Sequence, residues 1–260
     1  MRLFISGATG NVGRLLVRAV LGEADLELAG GFCAEGAVDL AAFQGLAPCG
    51  VTGHDDLARG LDEAGPDAVV DFTSTRIVMD NLRLYAERGL DAVIGTTGFD
   101  EAMMAEAKAL AASKGLRWVV IANYGLAINL VADFLERVRA HYPYVSIIDR
   151  HPARMANAPS GTALTLAEAA SGEAGPVESR PVIDGVLGAS REGCQILSQR
   201  LPYPGSYSEH EITLGRPDEL IRITVQDFSS AVYVPGVLLA LRGLPKIPKG
   251  TIVTSLSFFS

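Results

Sequence analysis

A chain of 260 residues, 48% apolar and 20% charged, has the composition of an ordinary soluble protein of one large or two small domains. Its net charge of −8 speaks against nucleic acid or an anionic membrane as partner, because phosphate binding needs a basic face. No apolar run reaches the roughly 18 residues of a membrane span, and Met1 enters a strand-like run at once, so neither a span nor a leader is expected.

Residues 2–6 read as a short apolar strand, 7–13 as the glycine turn Gly-Ala-Thr-Gly-Asn-Val-Gly, and 14–21 as a helix with Leu15, Leu16, Ala19 and Val20 at helical spacing. Strand, glycine turn and helix are the context of a dinucleotide-binding fingerprint. Gly7 permits the tight turn, Gly10 lets the backbone approach a pyrophosphate, and Gly13 lets the helix pack close to the strand. A second strand over 26–32 ends near Glu35. This acid is placed to bond a ribose hydroxyl, and no basic residue waits for a 2′-phosphate, which leans towards NADH over NADPH.

Strands over 67–72, 91–95 and 117–122 alternate with helices over 79–88 and 101–113, which predicts an α/β, Rossmann-type doubly wound parallel sheet. These strands end in Thr73, in Thr96 and Thr97, and in Asn123, all expected beside the cofactor because ligands bind at the carboxyl ends of such strands. A helix over 126–141 then leads away. Residues 145–149 read as a strand running into a loop with His151, Arg150 and Arg154. Ser160 caps a helix whose first N–H groups, at Gly161, Thr162 and Ala163, face an anion.

A loop over 171–191 precedes strands at 194–198, 208–214 and 220–225, with a turn at 215–218 between the last two. Their partial alternation suggests an open mixed sheet with one wet face, and hence a homo-oligomer. A helix over 229–242 and a strand over 251–259 close the chain, the strand rejoining the first domain. The expected division is 1–123 with 236–260 for the dinucleotide, and 124–235 for substrate and oligomerisation. Cys33, Cys49 and Cys194 show no metal or disulfide spacing, so a reduced cytoplasmic setting without bound metal is expected. The four lysines are Lys108, Lys114, Lys246 and Lys249, which leaves the middle of the chain without one.

The runs 7–13, Asp71-Phe-Thr73, Gly95-Thr-Thr-Gly-Phe99, Asn123 to Leu130, Asn157 to Ala163 and Glu209-His210, in this order, resemble the dihydrodipicolinate reductase family over nearly the whole length. The resemblance implies a split Rossmann domain, a tetramer-forming mixed-sheet domain, and hydride transfer from NADH or NADPH to a cyclic unsaturated imine carboxylate. It implies cofactor contacts at Gly7, Thr9, Gly10, Asn11, Val12, Glu35, Phe72, Thr73, Gly95, Thr97, Asn123 and Tyr124. It also implies His151 as proton donor. Thr97, Ser160, Gly161 and Thr162 would then hold one carboxylate, with Arg150 or Arg154 as the cation.

The sequence departs from the family's pattern where a second histidine, a lysine and an acid are expected: Pro152, Met155 and Asn157 stand there. Losing a charged contact typically costs about 1.5–3 kcal/mol. An altered imine or enamine substrate is therefore the leading expectation. The lysine-pathway reaction and a non-catalytic NAD(P)-binding sensor are the alternatives. A short-chain dehydrogenase is disfavoured, since no tyrosine has a lysine four residues on.

Overall fold

The computed structural model describes residues 1–259 and divides into two units, Met1–Tyr124 with the chain from Tyr233 on, and Gly125–Val232. The boundaries thus lie one residue and three residues from those expected.

In the first unit, β1 (Arg2–Ser6) runs into α1 (Gly13–Gly22), followed by β2 (Glu27–Phe32), β3 (Gly53–His54), α2 (Leu57–Ala64), β4 (Ala68–Asp71), α3 (Val78–Glu87), β5 (Asp91–Ile94), α4 (Glu101–Lys114) and β6 (Arg117–Val120). The second unit holds α5 (Leu126–Val138), β7 (Tyr144–Pro152), α6 (Gly161–Ala169), β8 (Ala189–Arg191), β9 (Cys194–Leu201), β10 (Ser208–Arg216) and β11 (Glu219–Asp227). The chain then returns as α7 (Val234–Gly243) and β12 (Thr251–Val253).

The first sheet is parallel in the order β12-β6-β5-β4-β1-β2-β3. Its strand order reverses between β1 and β4, where a doubly wound sheet opens its ligand crevice. Val69, Val70, Ala92 and Val93 are buried on both faces of their strands, as helix-covered parallel sheets require. Helix α1 buries Gly13, Leu16, Val17 and Val20. Leu15 and Ala19, expected in that stripe, are only half-buried.

Several elements differ from expectation for local reasons. The short β3 and α2 were not expected, although α2 buries Leu57, Gly60, Leu61 and Ala64 at helical spacing. An Asp56 cap on Arg59 N (3.0 Å) and a left-handed Gly65 define the ends of α2. The last strand stops at Val253, and residues 256–259 form a 3-10 turn with Leu256 in the core. The final helix starts at Val234, after a 3-10 turn at 230–233.

The second sheet is mixed, in the order β11-β10-β7-β9-β8, with β7 and β9 parallel and the other pairs antiparallel. Strand β7 runs on to Pro152, three residues past its expected end, so His151 lies in the strand and not in a loop. Val145 and Ile147 of β7, Ile196 of β9 and Ile212 and Leu214 of β10 point to the face that shares a core with Ile128 and Leu135 of α5 and with α6.

Arg139, 6% exposed, is pinned in this unit by donating to the carbonyls of Ala170 (2.6 Å), Tyr142 (2.8 Å), Glu173 (2.7 Å) and Gly193 (3.4 Å). Arg139→Met would leave these carbonyls without their donor, a loss of about 2–4 kcal/mol. Urea unfolding should show it as a lowered midpoint. An unchanged midpoint would mean that water replaces the guanidinium at no cost.

Candidate active site

The first unit builds a cradle for a dinucleotide. Gly7 adopts φ +84°, and a side chain there would meet Phe72 O at 2.5 Å. A side chain at Gly13 would lie 1.9 Å from Gly7 O, so only glycine lets α1 approach the turn. No side-chain cap and no acidic residue occupies the first turn of α1, which leaves its positive end for an anion. Thr9 Oγ1 donates to Glu35 Oε2 at 2.6 Å, which places the exposed carboxylate of Glu35 against the glycine turn. These residues fit a dinucleotide. Gly7, Thr9, Gly10, Asn11 and Val12 would hold its pyrophosphate, and Glu35 its ribose hydroxyls.

The strand ends beside this cradle are organised by Asp71, which is fully buried. It accepts from Thr73 N (3.0 Å), Thr73 Oγ1 (2.7 Å), Thr96 Oγ1 (2.9 Å), Asn81 Nδ2 (2.9 Å) and Tyr85 OH (2.7 Å). The hydroxyls of Thr73 and Thr96, expected to face a cofactor, are therefore committed to the core. Thr97 is exposed. Phe72 packs over Gly95, where a side chain would meet its ring at 2.1 Å. Tyr124 is a buried plug whose hydroxyl lies 2.9 Å from Ile94 O and 3.2 Å from Val119 O, and burial pushes that hydroxyl well above the usual tyrosine range. Only the backbone of Tyr124 remains for a ligand. Asn123 follows β6, as the sequence suggested.

In the second unit, period-two alternation assembles the site. Asp149 and His151 on β7 share the inner face with Ser198 and Arg200 of β9, which pair with them in register, and with His210 of β10, which pairs with Asp149. Asp149 is fully buried. Its Oδ2 accepts from Ser160 N (2.9 Å), Ser198 Oγ (3.1 Å) and Arg200 Nη2 (2.9 Å). Its Oδ1 lies 2.6 Å from His151 Nδ1. Burial works to raise its pKa, but His151, Arg200 and Ser160 N together hold it well below the usual carboxylate range. Ser160 caps α6 as expected, accepting from Ala163 N at 3.1 Å, so that amide is used within the helix while Gly161 is exposed.

Asp149, His151 and His210 lie close enough together to suggest a cation. Yet two ligands of one tetrahedral zinc stand about 3.3 Å apart, given bonds of about 2.0–2.1 Å. The 2.6 Å contact is a hydrogen-bond distance, and Arg200 already neutralises the carboxylate.

The same alternation turns Arg150 away. It lies on the opposite face, paired with Glu209 and with Glu211 (3.0 Å) and bonded to Gln199 Oε1 (2.8 Å), so it does not join His151. Arg154 is exposed in the loop after β7 and donates to Gly205 O. Arg200, not singled out from the sequence, also donates to Asn157 O (2.8 Å) and so ties down the loop between β7 and α6. Reading the strand through to His151 would have grouped Asp149, His151 and, across the sheet, Arg200.

His210 is 1% exposed. Burial above all lowers its pKa from the usual 6.5 to about 4. Because the folded value lies below the unfolded one, neutral His210 contributes fully above pH 6.5, and that contribution drains as pH falls towards 4. Linkage gives about 3 kcal/mol over this window. His210→Gln should flatten the fall in unfolding free energy between pH 7 and pH 4.5, measured in urea. An equal fall in both proteins would place the titration elsewhere.

The whole chain can be matched to known proteins. The family described as dihydrodipicolinate reductase, N-terminus, matches residues 1–124, and its C-terminus counterpart matches residues 127–256. The 4-hydroxy-tetrahydrodipicolinate reductase of Moorella thermoacetica is 32% identical over 257 residues, covering 97% of this chain and 95% of that protein. The reductase of the same name from Desulfitobacterium hafniense is 33% identical over 250 residues, covering 93% of this chain and 92% of that protein. Among solved structures, dipicolinate-bound dihydrodipicolinate reductase from Paenisporosarcina sp. TG-14 superposes with a TM-score of 0.83 at 26% identity, covering 99% of this chain and 98% of that one. An amine dehydrogenase from Mycobacterium smegmatis shares the fold, with a TM-score of 0.69 at 17% identity and coverage of 98% and 95%. With both halves matched and the glycine cradle intact, this chain belongs to the dihydrodipicolinate reductase family and is an NAD(P)H-dependent oxidoreductase.

Proposed function

We propose that the protein reduces a C=C or C=N bond of a small cyclic imine or enamine carboxylate that carries one carboxylate fewer than the lysine-pathway substrate. The observation that carries this reading is the commitment of the cations. Every lysine of the chain lies in the first unit. In the second unit, Arg150 faces away into Glu209 and Glu211, Arg139 is buried among carbonyls, and Arg200 is paired with Asp149. The positions beside His151 that the family resemblance makes basic are the buried Pro152 and the half-buried Met155. One carboxylate can be met by the start of α6 at Gly161 and Thr162 together with Arg154. A second one finds no further arginine of the sheet to meet it, since Arg150 and Arg200 are engaged, and the cation outside these pairs, Arg180, is exposed in the loop between α6 and β8.

The bound nicotinamide supplies the hydride. The residues of this chain supply the proton. Asp149 Oδ1 lies 2.6 Å from Nδ1 of His151 as an ion-pair contact, so Nε2 is the atom that gives its proton to nitrogen or carbon as hydride adds. The dipicolinate in the Paenisporosarcina relative supports a small carboxylate ligand. The three free cysteines support a cytoplasmic setting, and among the described residues no helix is long and apolar enough to cross a membrane.

NADH and NADPH oxidation should be followed with the product of dihydrodipicolinate synthase and with a cyclic imine monocarboxylate such as Δ1-piperideine-2-carboxylate. The monocarboxylate should turn over, and the dicarboxylate should lag by about 10- to 100-fold in kcat/KM. Equal or better turnover of the dicarboxylate would overturn the altered-substrate reading. His151→Gln should cut kcat by about 10²–10⁴ and leave NADH affinity unchanged. Unaltered kcat would remove His151 as the donor.

The outer face of the second sheet and its flanking loop expose Val177 (64%), Val182 (98%), Ile183 (71%) and Leu220 (70%). Apolar surface of this kind supports a homotetramer built on this unit. Sedimentation should give four times the 27.4 kDa chain mass. A monomer at micromolar concentration would refute the assembly.

A further inference from the structure

We infer that His210 is a positioning residue: its Nε2–H donates to Ser160 Oγ and so fixes the start of α6 against the Asp149–His151 pair. This deepens the reading of His151 as proton donor and rests on it.

The geometry comes from three elements. His210 Nε2 lies 3.1 Å from Ser160 Oγ and 3.7 Å from Asp149 Oδ1. Its ring stands edge-on to that of His151, with centroids 5.3 Å apart. Ser160 is thereby held twice, its amide by Asp149 Oδ2 at 2.9 Å and its hydroxyl by His210. The residue that opens the anion-facing helix end is thus bound to the carboxylate that orients the proton donor.

The tautomer follows from what surrounds the other ring nitrogen. Nδ1 of His210 is buried and has no hydrogen-bond partner. A proton there would be an orphaned buried donor, at a cost of about 1–3 kcal/mol. A bare lone pair costs less, so the proton belongs on Nε2, facing Ser160 and Asp149. The groups that face this ring are Asp149 and His151 from β7, Arg200 from β9 and Ser160 from α6. Glu209 adjoins it on β10, and Asp227 at the end of β11 is buried near the pair. A second imidazolium 5.3 Å from His151 would repel the proton that His151 must carry. Burial keeps His210 uncharged.

Long-range ¹H–¹⁵N correlation of the imidazoles tests this without turnover. The chain has only four histidines, His54, His141, His151 and His210, so each can be assigned by substitution. His210 should show the neutral Nε2–H pattern from pH 5.5 to 8. His210→Leu removes the donor, and His210→Gln restores an N–H near the same place. The titration midpoint of His151 should move in the Leu variant, because Ser160 loses one of the two ties that hold it against Asp149. It should return towards the original value in the Gln variant. Thermal melting and NADH binding would verify that both are folded. A proton on Nδ1, a His210 that titrates in this range, or a His151 titration identical in all three proteins would overturn the inference. If both variants fail to fold, the spectrum of the unaltered protein still decides the tautomer. Full turnover by His151→Gln would instead remove the proton-donor reading and leave the tautomer result standing.

Discussion

The second unit is arranged around one buried charge. Asp149 has no access to water, so its carboxylate must be neutralised and hydrogen-bonded from within the protein. Arg200 from the neighbouring strand, the Ser160 amide at the helix start, the Ser198 hydroxyl and the His151 ring converge on its two oxygens. Each partner is thereby fixed in place. One buried acid sets the orientation of an imidazole, the start of α6 and the path of the loop that Arg200 binds at Asn157.

The first unit uses a similar device. Asp71 ends β4 in the core and gathers donors from its own strand end, from α3 and from the end of β5. Thr73 and Thr96, expected to meet a cofactor through their hydroxyls, instead brace the strand ends. The cradle is then left to backbone, to the glycine turn and to Glu35. A backbone cradle of this kind tolerates much sequence change so long as Gly7 and Gly13 stay glycine, because steric contact and not side-chain chemistry sets its shape.

The arginines of the second unit follow a different balance. Arginine is always charged near neutral pH and must be paired wherever it is covered. In this chain the arginines of the second unit that lie in or against the sheet are engaged by acids or carbonyls. Beside His151, Pro152 is buried and Met155 is half-buried.

Much of this was legible in the amino-acid order. The glycine turn between β1 and α1, the alternation of strands and helices and the Ser160 cap are local patterns, set by steric demands over a few residues. Other features depend on the partners of a segment. Where β7 ends is decided by pairing with β9 and β10, so the sequence alone left His151 in a loop and Arg150 beside it. Once the strand extends to Pro152, a period of two sends Arg150 to one face and Asp149 with His151 to the other. Arg200 and His210 meet them only because residues about 50 apart in the chain fall into register. The fold class and the glycine cradle could be read from the amino-acid order, since these follow from short-range geometry. Which charges are free and which are spent was decided only by the tertiary structure, since that depends on long-range strand pairing and burial.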